Sequence, residues 1–75
     1  MSTMVVTFTG PGDLYPRRRK IEEMARKTLT QTQYMGIVWE IKGEQLIIDN
    51  VSPSAEDSLM FELKKMSNVK KVELK

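Results

Sequence analysis

The spacing of apolar residues switches repeatedly between two periods along this chain, and that alternation leaves few folds open. Residues 4–9 alternate, with Met4, Val6 and Phe8 on one side and Val5, Thr7 and Thr9 on the other, as a half-buried strand does. Gly10-Pro11-Gly12-Asp13 breaks the pattern. Over residues 16–30, Ile21, Met24, Ala25 and Leu29 recur at helical spacing, and Pro16 suits a first turn, where its missing N–H would be unpaired anyway. Thr30-Gln31-Thr32-Gln33 reads as a polar link. Residues 34–41 then place Met35, Ile37, Trp39 and Ile41 on one face of a second strand. Lys42-Gly43 fits a tight hairpin turn, and residues 44–51 form a third strand. Ser52-Pro53 signals a helix start, with a hydroxyl to cap and a proline at the first position. Ala55, Leu59, Leu63 and Met66 make that helix's buried stripe, Ser67-Asn68 ends it, and residues 69–74 alternate as a last strand.

The order β-α-β-β-α-β is two β-α-β halves sharing a hairpin. It predicts an α+β, ferredoxin-like plait, a four-stranded antiparallel sheet with two helices on one face. Right-handed crossovers give the spatial order 4-1-3-2, with strands two and four at the edges. With no repeat or linker, the 75 residues are expected to form a single domain, 1–75, around one modest core.

Zero cysteines exclude disulfides, thiolate chemistry and the usual zinc sites, so packing alone must hold that core. Without histidine as well, acid–base or nucleophilic work would fall on carboxylates, lysines, tyrosines or serines. Asp13, Glu40, Glu44 and Asp49 are scattered, and no carboxylates stand at calcium-loop spacing. The reading is a non-enzymatic domain needing neither metal nor cofactor. The apolar runs fall far short of a membrane span and the first residues lack a signal-peptide core, so a cytoplasmic setting without membrane contact is expected.

Charge is distributed unevenly. Residues 16–30 carry Arg17, Arg18, Arg19, Lys20, Arg26 and Lys27 against Glu22 and Glu23, a net +4, while the other 60 residues sum to −2. Such local basicity is the footprint expected of a site for a polyanion. On a helical wheel Arg19, Arg26 and Lys27 lie opposite the core with Lys20 flanking them, whereas Arg17 and Arg18 are placed where they can reach the glycine turn. Gly12, the helix start and one or two arginines thus form a candidate anion site. Three arginines placed in a first turn would oppose the helix dipole, a cost that a bound phosphate would relieve. The same sequence also offers Arg18–Glu22, Arg19–Glu23, Glu22–Arg26 and Glu23–Lys27 pairs four residues apart, as a solvated face would.

A second set of surface signals points to protein contacts. Phe61 falls opposite the core stripe of its helix among Asp57, Lys64 and Lys65. Strand two, G-I-V-W-E-I, has one charge and no proline, so Val38 and Trp39 mark an edge open to another chain, with Trp39 itself expected on the core side.

Three families bear comparison. The G-P-G-D turn followed by arginines resembles the phosphate-binding turn of the acylphosphatases, which share this element order, but the chain lacks their glycine-glutamine-glycine-valine loop. The ending L-K-K-M-S-N-V-K-K-V-E-L is similar to that of plait-shaped regulatory domains such as the ACT type. The RNA-recognition motif carries aromatics on its first and third strands, where this chain has M-V-V-T-F-T and E-Q-L-I-I-D-N, so base stacking in that mode is not expected. The expected function is therefore a small binding module that contacts RNA or DNA phosphates through its basic first helix. The alternative is a protein-interaction or regulatory domain working through the strand-two edge or Phe61, one form of which is a homodimer through the strand-two edge.

Overall fold

The computed structural model describes residues 1–10 and 12–75, so Pro11 of the predicted turn lies outside the described residues. The chain is α+β, a four-stranded antiparallel sheet with three helices: β1 (Ser2–Phe8), α1 (Leu14–Thr28), α2 (Gln31–Met35), β2 (Val38–Lys42), β3 (Gln45–Val51), α3 (Pro53–Lys64) and β4 (Val69–Leu74). The sheet order is β2-β3-β1-β4, which leaves β2 and β4 at the edges.

Alternation places Met4, Val6 and Phe8 of β1 and Leu46 and Ile48 of β3 on one side of the sheet. There they meet Ile21, Ala25 and Leu29 from the α1 segment and Ala55, Leu59 and Leu63 from α3. Most of these side chains have no exposed surface. Burying each large one fully contributes roughly 1.5–3 kcal/mol, and with no disulfide nothing covalent supplements it.

Two expectations are corrected. The first is the count of helices: the predicted polar link and the start of the predicted strand two instead form α2, and β2 begins only at Val38. Thr30 nucleates this short helix through a capping box. Its hydroxyl accepts from the Gln33 N–H at 3.3 Å while the Gln33 side-chain oxygen accepts from the Thr30 N–H at 3.0 Å. Met35, expected on the core face, is consequently 71% exposed. The second is the start of α1, at Leu14 rather than Pro16. Asp13 is its N-cap and accepts from the Tyr15 N–H at 3.0 Å. Pro16 then stands third in the helix, still among positions whose N–H has no partner within the helix.

Smaller features tie the ends together. A further correction falls at α3: Ser52, expected to cap with its hydroxyl, stands at the N-cap position in extended conformation but makes no side-chain capping bond, its hydroxyl lying 3.3 Å from that of Ser54. Gly43 turns the β2–β3 hairpin at φ 59°, a conformation that side chains resist. Asn50 takes φ 62° where the β1–β3 register shifts, and its amide donates to the Gly36 carbonyl at 2.7 Å, anchoring the α2–β2 junction to β3. No helix among the described residues is long and apolar enough to cross a membrane.

Candidate anion-binding site

The end of β1, the start of α1, the β2–β3 hairpin and the α3–β4 turn all lie at one end of the molecule. Antiparallel pairing dictates this: Phe8 pairs with Val69, and the Thr9 N–H donates to the Asn68 carbonyl at 2.9 Å. Arg17 is the side chain that joins these parts. Its guanidinium carbon stands 5.3 Å from the centroid of the Phe8 ring, a cation–π contact. A Cβ added at Gly12 would lie 2.7 Å from Arg17 Nη2, so glycine there admits the guanidinium.

Two concavities flank Arg17. One, of about 100 Å³, is walled by Phe8, Gly10, Gly12 and Gly43 and has the Glu44 carboxylate in its lining. With Asp13 already on an N–H of the helix start, this side of the glycine turn carries negative as well as positive charge. The other is wider, about 420 Å³, and opens between α1 and the α3–β4 turn. Arg17, Lys20, Met66, Ser67 and Asn68 line it, and no carboxylate does. Two cations, a hydroxyl and a carboxamide offer an oxyanion charge-assisted and neutral donors at once.

The remaining cations of α1 are divided between two rows. Arg19 and Arg26, and likewise Lys20 and Lys27, stand seven residues apart, so each pair lies within about 20° on the helix and about 10 Å apart along it. The Lys20–Lys27 row starts at the wide cleft, which Lys20 lines, while the Arg19–Arg26 row runs toward α2, with Glu23 between the rows. Arg18 is drawn into an ion pair with Glu22 at 3.0 Å, whereas the other three spaced pairs of α1 do not form among the described residues. Arg26 lies 5.5 Å over the Tyr34 ring and donates to its hydroxyl at 3.5 Å, which raises the guanidinium pKa further above its ordinary value. Arg19, Lys20 and Lys27 are exposed. The predicted cations are thus brought together as Gly12 with Arg17 and Arg17 with Lys20, while Arg26 and Lys27 stand at the far end of the helix.

The predicted protein-contact residues separate. Val38 is 55% exposed on the β2 edge. Trp39 is half-buried on the helix side of the sheet, its ring centroid 6.3 Å from that of Tyr34 at 43°. Phe61 is exposed on α3, with Lys65 Nζ 4.9 Å from its ring centroid. On the opposite sheet face Gln45 donates to Thr7 at 3.1 Å, Thr3 to Asp49 at 2.6 Å, and Lys71 faces Glu73 at 3.5 Å. The bonds from Thr3 and from the Asn50 N–H hold the Asp49 carboxyl below its ordinary pKa. On that face these bonded polar groups alternate with the apolar Val5, Val38 and Ile47. Among the described residues, no three His, Cys, Asp or Glu side chains are grouped to hold a metal ion.

Sequence reasoning did not mark Ser67, Asn68 or Tyr34 as site residues. The first two served only as a helix stop, and Tyr34 was assigned to a strand. Comparison with protein-family models, with curated proteins and with solved structures found no match.

Proposed function

We propose that this domain is a ferredoxin-like plait, extended by the short α2, that binds polyanions, RNA or DNA phosphates foremost, without catalysis. The sheet order and the single core shared by α1 and α3 support the plait. The observation that carries the binding reading is the wide cleft, where Arg17 and Lys20 converge with Ser67 and Asn68 and no carboxylate intervenes. A phosphate seated there has two cations within reach, and the exposed Arg19 and Lys27 extend the positive surface along α1. Affinity in this mode comes largely from counterion release and carries little base specificity.

The test is a fluorescence-anisotropy titration of a labelled single-stranded RNA across a salt series, comparing the native chain with Arg17→Gln/Lys20→Gln. Loss of two phosphate contacts should reduce the log–log salt slope by about 1.4 and weaken binding severalfold or more. A thermal melt checks that the variant remains folded, since Arg17 also packs on Phe8. Unchanged affinity and slope in the folded variant would refute the site.

A further inference from the structure

At the opposite end of α1 lies a concavity that the phosphate reading does not use. Arg26, Gln31, Tyr34 and Met35 line a cup of about 410 Å³ at the end of the Arg19–Arg26 row. It brings together a guanidinium over a phenol ring, an exposed thioether and a carboxamide, with no carboxylate in the lining. Met35 is 71% exposed although it is among the larger apolar side chains, and α2 holds it there through the Thr30–Gln33 capping box. A flat ring stacked on the outer face of the Arg26 guanidinium, which lies over Tyr34 and is held there by it, gains a cation–π contact, Met35 can cover its edge, and the Gln31 carboxamide can both donate to and accept from it.

We infer that this cup is a stacking site for a nucleobase, which makes the partner a single-stranded nucleic acid rather than a duplex. The inference rests on the polyanion reading above, because the cation row along α1 is what would bring a phosphate backbone to the cup. A duplex keeps its bases paired and stacked inward and presents none to the Arg26–Tyr34 pair, whereas an unpaired strand can turn a base out of its own stack and onto a protein surface. Trp39, whose ring stands 6.3 Å from Tyr34, is the chain's one tryptophan and reports on the cup from within.

The experiment compares oligoadenylate, an RNA duplex and inorganic polyphosphate of matched charge, using the native chain, Tyr34→Leu and Arg26→Gln. Tyr34→Leu keeps apolar volume while removing the π face. The expected result is that oligoadenylate binds more tightly than polyphosphate or duplex and changes Trp39 fluorescence, which polyphosphate leaves unaltered. Tyr34→Leu should then lose about tenfold for oligoadenylate and nothing for polyphosphate. Arg26→Gln should weaken both ligands, oligoadenylate more, which keeps the test decisive if Tyr34→Leu is unfolded. Equal binding of oligoadenylate and polyphosphate, unaffected by Tyr34→Leu, would overturn the stacking site and leave the phosphate cleft standing. Absence of binding by all three ligands would overturn both.

Discussion

The two ends of α1 are built on different principles. At its C-terminal end the helix is closed: Leu29 is 6% exposed, its N–H returns to the Ala25 carbonyl at 2.8 Å, and Thr30 immediately caps α2. At its N-terminal end the helix is open. Asp13 supplies one capping bond, Arg17 leans over Phe8 between two concavities, and the neighbouring turn is part glycine. Apolar burial and reciprocal capping anchor the first end, while glycines and charged side chains leave room at the second. The Arg26–Tyr34 cup stands outside this anchor: Leu29 is buried, whereas Arg26, Gln31 and Met35 of the cup are exposed, so a small domain with little stability to spare keeps its apolar anchor apart from its open surfaces.

If that contrast is right, the largest effect on folding comes from the closed end. Leu29→Ala should lower the unfolding free energy by roughly 2–5 kcal/mol, since truncation leaves a cavity between α1 and the sheet. Urea denaturation measures it, and a loss below about 1 kcal/mol would mean that the closed end does not anchor the helix. Thr30→Ala should follow with a loss of about 1 kcal/mol, because it strips one half of the capping box and frees the Gln33 N–H. A cost indistinguishable from zero would show that α2 is held by tertiary packing alone.

The same contrast explains what was legible in the sequence. The strands and the two long helices could be read because their periods run long enough to count, and boundaries such as Gly43 and Pro53 carry their own chemistry. The α2 segment could not, since residues 34–41 alternate as a strand does and five helical residues are too few to show a helical period. The signal that would have found it was Thr30-x-x-Gln33, a capping-box spacing that competed with the alternation and won. At the open end, Pro16 reads as the start marker and Asp13 as part of the turn, whereas Asp13 is the N-cap. The helix starts two residues before Pro16, so Arg18 and Arg19 lie beyond its first turn and the dipole cost expected of three arginines falls mainly on Arg17. The wheel puts both Arg17 and Arg18 within reach of the glycine turn; Arg17 lies there, because direction on a helix is local, whereas Arg18 is held by Glu22 instead. Ser67 and Asn68 were invisible as site residues because only the pairing of β4 with β1 brings their turn beside Lys20.

The smallest effect, and the one that most sharpens the contrast, concerns Asp13. Asparagine caps a helix about as well as aspartate, so Asp13→Asn should change stability by less than about 1 kcal/mol, the scale of the lost attraction between carboxylate and dipole. It also removes one negative charge from the end of the molecule that carries the cleft. A unit charge at roughly 10 Å in water is worth about 0.4 kcal/mol, so affinity for single-stranded RNA should rise about twofold at low salt. The gain should fade as the Debye length shrinks from about 30 Å to about 8 Å, which titrations at about 0.01 M and about 0.15 M salt would show. A gain that persists at the higher salt would mean that the carboxylate acts by occupying helix N–H groups that the ligand itself uses. A loss of affinity would place Asp13 in direct contact with the bound strand, and no change at all would move the phosphate seat away from the start of α1.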